Sequence, residues 1–411
     1  MKKILFLIPL LFTYSAFSQE LAPVFEDTVF DGNLLKISSF NYYSSSRFSN
    51  DLMDKFIFGG EITPEIKDRN AARLSNINGF GGEAEQTITY YNGDINPLKK
   101  EKYGFLISFS DNNFLSANIA SDLFNTAMYG NANYVGDTMN YSFTHLQYQH
   151  YQKLGIGVFE KRTGSSIQIS YVAGSKSMEA RLNDTWMYSA SDSITLGLQG
   201  AGFSTKRFYP YLAFQGGGFA IDLNYNFLFE SKNGSLQVLN LKINNLGLIS
   251  WKKDSYKYSV DSTSYYTGFD IQDFLNKNEG ENKTYNFIDT LGVHTDNGRT
   301  VSSLPIEFVL QKLPLRNSTK KLRYIMGFKT ILTSDYFPYI YGGVYYAPIN
   351  NFSASTRLSY GGFGGLQWGI NLNYWTKGNA HFGLSTFNTL GYISKKLGFG
   401  RSLNLTAHFK L

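Results

Sequence analysis

Segments of about ten residues in which apolar and polar side chains alternate recur along the whole chain. Examples are Tyr103–Phe109, Phe219–Phe227 and Leu366–Tyr374, and the last ten residues, Ser402–Leu411, read SLNLTAHFKL. A period of two is typical of a β-strand with one apolar and one polar face. About ten residues is also the length that a tilted strand needs to cross the hydrocarbon of a bilayer. The pattern therefore predicts a chain built mostly of membrane-crossing strands.

The composition separates a transmembrane barrel from a soluble β-sandwich. Aromatic residues make up 17% of the chain, with 34 Phe and 30 Tyr, and charged residues make up only 17%. A soluble domain carries roughly 25% charged residues. A sandwich also alternates, but it does not require strands this long or this aromatic. We therefore predict a closed antiparallel β-barrel in the outer membrane of a Gram-negative bacterium, surrounded by outer-membrane lipid.

The strand Ser402–Leu411 has a defined place in such a barrel. A backbone in lipid must satisfy its N–H and C=O groups internally, so the last strand is expected to pair with the first. Phe409 and Leu411 lie on the apolar face of this strand. We expect both residues to face lipid.

The first residues indicate export. Met1–Lys3 is positively charged, and the apolar stretch Ile4–Phe12 that follows is too short to span a bilayer. Ala16 and Ser18 are small residues three positions and one position before a cleavage site at Gln19. We expect residues 1–18 to be a signal peptide and residues 19–411 to form a single barrel domain. The chain has no Cys, so lipid attachment through Cys, disulfides and thiolate chemistry are excluded.

Three stretches lack the apolar–polar alternation that predicts a strand. Asn50–Ser75 has helical spacing interrupted by Gly59-Gly60 and Pro64, and Phe114–Tyr129 reads as a helix that stops at Gly130. Lys252–Ser303 is polar and is predicted to be a long loop with one short helix at 270–276. Helices in a barrel can plug the lumen or cover a rim, and the alternative is a surface helix without a function.

Motifs of catalysis and metal binding are absent from the sequence. The five His residues include no H-x-x-x-H pair, and there is no G-x-S-x-G elbow and no phosphate-binding glycine loop. The net charge of +6 is spread along the chain without a basic cluster that carries base-stacking aromatics. We predict no enzyme activity, no catalytic residue, no metal, no cofactor and no nucleic-acid partner.

A candidate ligand site combines an apolar helix with inward-facing polar residues. The apolar wall is predicted from Phe114, Leu115, Ile119, Leu123 and Phe124. Asp222 and Lys242 lie on the polar faces of strands, where they could contact a polar head group. Two alternatives stay open: the helix packs against inward-facing side chains such as Leu106 and holds a plug shut, and Asp222 merely lines a wet lumen.

Four segments together resemble a family of Bacteroidota outer-membrane proteins that looks like a branch of the long-chain fatty acid transporter barrels. They are GGGFAIDLNYNF (216–227), NLGLISWKKDSYKY (245–258), SLPIEFVLQ (303–311) and LSYGGFGGLQWGINLNYW (358–375). The resemblance implies a barrel of about fourteen strands with an N-terminal plug and a hydrophobic ligand path. The same superfamily includes a shuttle protein of the type IX secretion system. The residues after Gln19 depart from the transporter pattern, because they form no obvious short plug helix.

Two functions follow as hypotheses. The first is passage or binding of a hydrophobic small molecule through a plugged lumen. The second is a structural or adaptor barrel that docks another envelope or secretion-system protein through the segment Lys252–Ser303.

Overall fold

The computed structural model describes residues 23–26, 30, 32–205, 214–231, 236–267, 291–316, 320–333, 335–377 and 380–411. The predicted signal peptide 1–18 and the predicted helix at 270–276 lie outside these residues.

Fourteen strands form a closed antiparallel barrel. In chain order the barrel strands are β1 (Asn33–Ser45), β2 (Ile77–Asn92), β3 (Tyr103–Ala120), β5 (His145–Glu160), β6 (Ser166–Leu182), β9 (Gly216–Glu230), β10 (Leu236–Trp251), β14 (Glu307–Leu313), β15 (Leu322–Ile331), β16 (Phe337–Ile349), β17 (Phe352–Gly362), β18 (Leu366–Trp375), β19 (Ala380–Thr386) and β20 (Gly400–Lys410). Each of these strands pairs with the next one named here.

The ring closes between its last and first strands. β20 pairs antiparallel with β1 along its whole length, from Leu34 opposite Lys410 to Ser44 opposite Gly400. Closure removes the unpaired sheet edges that hydrocarbon does not tolerate. The prediction made from the alternating C-terminal segment is confirmed.

The two faces of the barrel wall differ in chemistry. Large apolar side chains such as Ile107, Phe109, Leu154, Ile156 and Ile169 point away from the lumen and are exposed. Their neighbours in sequence point inward, where polar and aromatic groups lie. An exposed apolar belt on a closed barrel is the signature of a membrane-spanning outer-membrane protein.

No helix within the described part of the chain is both long and apolar enough to cross a membrane.

The two ends of the barrel differ in the length of their connections. The end that carries the first residue of β1 and the last residue of β20 has short turns, such as Asn350–Asn351. The opposite end has long connections with helices α1 (Asn50–Phe58), α2 (Pro64–Ala71), α3 (Ser121–Tyr129) and α4 (Leu390–Ile393). Outer-membrane barrels place their short turns in the periplasm, so the helices lie at the extracellular end.

Six further strands extend the sheet beyond the barrel at this extracellular end. They are β4 (Thr138–Asn140), β7 (Trp186–Ser189), β8 (Ile194–Ser204), β11 (Tyr256–Tyr266), β12 (His294–Asn297) and β13 (Val301–Ser303). β8 pairs with the upper part of β6 and with β11, β7 pairs with β4 and β8, and β12 pairs with β11. We call β4, β7, β8, β11 and β12 the side sheet.

The predicted loop Lys252–Ser303 therefore requires a correction, because its described part contains β11, β12 and β13. Polarity suggested a loop, but both faces of β11 are partly or fully exposed, and strands in water can be polar on both faces. Cross-strand hydrogen bonds to β8 decide the conformation here.

The predicted helix Phe114–Tyr129 is also shorter than expected. β3 continues to Ala120, and α3 begins at Ser121. The spacing of Leu115 and Ile119, four residues apart, fits one face of a helix and also one face of a strand. β2 and β5 flank this part of β3 on both sides, so ladder hydrogen bonds favour the strand. The interrupted helical spacing predicted for Asn50–Ser75 is present as α1 and α2, which are separated by residues 59–63.

Candidate functional site

Consecutive residues of the predicted apolar wall lie on opposite sides of the barrel. Phe114 is buried in the lumen, where its ring centroid is 6.1 Å from that of Phe363. Leu115 and Ile119 belong to the outward-facing set of β3. The five apolar residues therefore do not form one surface, because the first three lie on a strand and not on a helix.

Helices α1 and α3 cover the outer face of the wall at the extracellular end of β1, β2 and β3. Phe48, just before α1, stacks on Phe124 of α3 at 5.4 Å between ring centroids and meets Phe80 of β2 edge-on at 6.1 Å. Leu52 and Ile57 of α1 are buried in the same cluster. We call this helical layer the lid.

The lid and the wall enclose an apolar pocket of about 360 Å³. Leu115, Ile119, Leu123 and Phe124 all line it, together with Ala127 and Met128 of α3. The wall contributes Tyr43, Phe80, Gly82 and Ala84, and α1 contributes Met53, Phe56 and Ile57. Four of the seven predicted site residues thus meet at one place, which we call the lid pocket.

Several residues of the lid pocket were not predicted. Met53, Phe56 and Ile57 follow the helical spacing that identified α1, so that spacing could have identified them as one apolar face. Gly82 and Ala84 are small residues on the outward face of β2, where larger side chains would occupy the pocket. Only the tertiary contact between the helices and the wall reveals their role.

Charged and polar contacts hold the lid on the barrel. The Asp54 carboxylate of α1 accepts hydrogen bonds from Arg401 of β20 at 2.7 and 3.2 Å and lies 3.0 Å from Lys395 Nζ. Asn50 Nδ2 donates to the carbonyl oxygens of Gly391 and Gly400, each at 3.1 Å. The lid is therefore anchored to the strand that closes the barrel.

At the surface, α3 of the lid is joined to α2. The Tyr129 hydroxyl donates a hydrogen bond to Asp68 Oδ1 at 2.7 Å. Desolvation and the neighbouring Asp68 carboxylate raise the pKa of Tyr129 to about 12. This bond connects the helix that lines the lid pocket to the helix behind it.

Inside the barrel, buried aromatic side chains form one cluster on the lumen side of the wall, which we call the aromatic layer. Its members come from β1, β3 and β16 and from connections at the extracellular end: Phe40, Tyr42, Phe114, Tyr336, Tyr339, Tyr341, Tyr345, Phe363 and Phe387. Lys329 Nζ lies within this layer, 3.2 Å from Glu83 Oε1 and 2.5 Å from Glu307 Oε2.

The periplasmic half of the lumen contains a polar cavity of about 550 Å³. Asp222 and Lys242 both line this cavity, as their inward positions predict. Lys153 Nζ lies 2.9 Å from both carboxylate oxygens of Asp222, and the backbone N–H of Asn245 donates to Oδ1 at 2.7 Å. The structure therefore does not bring these two polar residues to the lid pocket, which lies on the other side of the wall.

The N-terminal residues 23–26 and 30 line the polar cavity at its periplasmic end. The N–H of Phe25 donates to Pro314 O at 2.8 Å, and Arg316 N–H donates to Phe25 O at 2.9 Å. Farther along, the N–H of Phe30 donates to Lys161 O at 2.9 Å, on another side of the ring. Glu26 accepts from Arg316 and from Trp375 Nε1, each at 2.9 Å. The segment has no periodic pattern that could have revealed this position.

Within the described residues, no group of three or more His, Asp or Glu side chains could hold a metal ion.

Comparison with known proteins gives no family model and no curated protein that matches the chain. Among solved structures, the chain is similar to the TodX deltaS2S3 mutant monoaromatic hydrocarbon channel, with 8% identity, a TM-score of 0.38 and coverage of 93% of this chain and 91% of that chain. It is also similar to the P. putida toluene transporter TodX, with 9% identity, a TM-score of 0.34 and coverage of 92% and 88%. A third is the translocator domain of the autotransporter NalP from Neisseria meningitidis, with 9% identity, a TM-score of 0.30 and coverage of 93% and 89%.

Proposed function

We propose that this outer-membrane barrel binds a hydrophobic small molecule in the lid pocket and takes part in its passage into or across the outer membrane. The observation that carries the proposal is the pocket itself, about 360 Å³ and lined by apolar side chains of α1, α3 and the barrel wall. A cavity lined by apolar groups favours apolar molecules over water, because water finds too few polar partners there. Leu115, Ile119, Leu123 and Phe124 are the binding residues.

The position of the pocket supports a ligand of low polarity. The pocket lies against the outward face of the wall, on the side of the barrel that faces the bilayer, and not in the polar cavity. Asp222 and Lys242, which the sequence predicts to contact a polar head group, line the polar cavity instead. A ligand in the lid pocket therefore needs no charged group.

A pair of tryptophan substitutions on α3 tests this proposal. Ala127 is exposed and lines the pocket, so Ala127→Trp places an indole at its opening without disturbing a buried position. Asn125→Trp adds the same group to the same helix outside the pocket lining and is the control. A ligand that binds only the folded state stabilises it, by about 2.7 kcal/mol at a free ligand concentration of 100 times Kd. This stabilisation raises the unfolding temperature.

The measurement is heat-dependent gel migration of the purified barrel with a panel of alkanes, alkylbenzenes and fatty acids. We expect at least one compound to raise the transition temperature of the wild type and of Asn125→Trp but not of Ala127→Trp. A panel that leaves the wild type unchanged, or that shifts Ala127→Trp equally, overturns the proposal.

The side sheet supports a second candidate, a barrel that docks another envelope protein. β11 and the neighbouring connections carry exposed aromatic residues, with 67% of Tyr265 and 70% of Phe143 accessible. Exposed aromatic residues are enriched where proteins meet. This function needs a stoichiometric protein partner in the native membrane, which the first function does not.

A further inference from the structure

Cationic side chains outnumber carboxylates in the lining of the polar cavity. Among the described residues that line it, seven are Lys or Arg and three are Asp or Glu. Lys153 Nζ lies 2.9 Å from Asp222 Oδ1, and Arg316 Nη1 lies 2.9 Å from an oxygen of Glu26. Each of these pairs matches one cation to one carboxylate, so the pairs leave the imbalance unchanged. The remaining lining has one carboxylate, Glu85, and five cations: Lys36, Lys161, Arg162, Lys242 and Lys410.

The wall formed by β2, β1 and β20 brings two of these cations together. Strand pairing places Lys36 of β1 between Thr89 of β2 and His408 of β20. Lys410 follows His408 by two residues on the same inward face of β20, so it is a diagonal neighbour of Lys36. Diagonal neighbours on one face of an antiparallel pair lie roughly 7–8 Å apart. Long side chains span this distance, so one small anion between Lys36 and Lys410 contacts both ammonium groups.

The same wall supplies hydroxyl groups beside the two lysines. Thr89 lies directly opposite Lys36, and Ser38 is two residues farther along the inward face of β1. Hydroxyl groups donate hydrogen bonds to oxyanions, and a Lys ammonium group attracts their oxygens as a point charge. Glu85, the lining carboxylate on β2, is four residues from Thr89, which is roughly 13 Å at the rise of a strand. The position between Lys36 and Lys410 therefore favours a negatively charged group.

The cavity is accessible from the periplasmic end of the barrel. Arg162 and Gly164, in the turn between β5 and β6, line the cavity and are exposed. Lys36 is the fourth residue of β1 and Lys410 is the last residue of β20, so both lie near this end. A cleft lined by one sign of charge raises the local concentration of ions of the opposite sign. Anions in the periplasm are therefore expected to collect in the cavity.

We propose that the polar cavity binds a small hydrophilic anion that carries two or more negative charges on phosphate or carboxylate groups. The anion enters from the periplasmic end and lies between Lys36 and Lys410, where the hydroxyl groups of Thr89 and Ser38 donate hydrogen bonds to its oxygens. This site is separate from the lid pocket, which lies on the other side of the wall, and it does not depend on the function proposed for that pocket.

Isothermal titration calorimetry of the folded barrel in non-ionic detergent tests this site, with pyrophosphate and citrate as probes. The wild type is expected to bind at least one probe, and the affinity falls as NaCl is added because salt screens the charges. Lys36→Gln is expected to bind that probe several-fold more weakly, whereas Lys36→Arg keeps the charge and most of the affinity. Lys100→Gln, at an exposed Lys of another periplasmic turn outside the lining, is the matched control and keeps the wild-type affinity.

A second variant covers the case in which Lys36→Gln does not assemble. Lys410→Asn changes an exposed side chain at the end of β20 and is also expected to weaken binding several-fold, with unchanged heat-dependent migration. Binding of pyrophosphate alone identifies a phosphate site, and binding of citrate alone identifies a carboxylate site; both support the proposal. A wild-type barrel that binds neither probe overturns it. A folded Lys36→Gln or Lys410→Asn barrel with the affinity of Lys100→Gln also overturns it.

Discussion

Lys329 of β15 and Glu83 of β2 form an ion pair across the lumen, with 3.2 Å between Nζ and Oε1. Seven steps around a ring of fourteen separate the two strands, so the pair joins opposite walls. Lys329 also contacts Glu307, and the side chains of Lys329 and Glu307 are each only 5% exposed. One cation thus lies between two carboxylates and offsets part of their charge within the aromatic layer.

Lys329→Met is therefore expected to destabilise the barrel strongly. Removing one partner of a buried ion pair leaves an uncompensated charge and costs about 3–5 kcal/mol. Lys377→Met, at an exposed turn, is expected to change stability by less than about 0.5 kcal/mol. Denaturant unfolding of both variants in the same detergent measures the difference, and equal midpoints would show that the ion pair contributes nothing.

Gly81 lies directly against Phe363 of the aromatic layer. A Cβ at Gly81 would overlap Cε1 of Phe363, so Gly81→Ala forces the ring to move. Overpacking of this kind costs about 1–3 kcal/mol. Gly342→Ala meets no atom within 4 Å and is the control. A lower temperature of the heat-dependent gel transition for Gly81→Ala alone is the expected result.

The closing strand should tolerate changes on its lumen face better than on its lipid face. Phe409 packs edge-on against Phe382 on the outer face, with 5.9 Å between ring centroids, whereas Lys410 lines the polar cavity. Phe409→Asp places a charge towards lipid, at a cost on the order of 1–4 kcal/mol depending on depth. We expect Phe409→Asp to reduce the amount of barrel assembled in the outer membrane and Lys410→Asn to leave it near the wild-type level. Equal assembly of the two variants would contradict this assignment of faces.

The sequence was sufficient to predict the barrel because period-two alternation is a local property that recurs in many of the barrel strands. It also placed Asp222 and Lys242 on the lumen side, since each lies on the polar face of its strand. The candidate site was only partly correct for a physical reason. Phe114, Leu115 and Ile119 fit a helix and a strand equally well, and only pairing with β2 and β5 makes Phe114 point into the lumen while Leu115 points out.

Other features depend on contacts between residues far apart in sequence. Asp335 meets Ser116 more than two hundred positions away, and Asp54 meets Arg401 at the other end of the chain. Neither contact produces a periodic pattern in the sequence. Phe25 and Phe30 take their positions from backbone hydrogen bonds to two turns of the barrel, which residue type does not encode.

The central claim is that the lid pocket holds an apolar molecule, and purification from native outer membranes with mass spectrometry tests it most directly. Wild-type barrel, Ala127→Trp and Asn125→Trp are purified in parallel and examined for bound small molecules and for protein partners. The account predicts an apolar compound that co-purifies with the wild type and with Asn125→Trp and is depleted from Ala127→Trp. A stoichiometric protein partner with no bound compound, or a compound retained equally by Ala127→Trp, would contradict it.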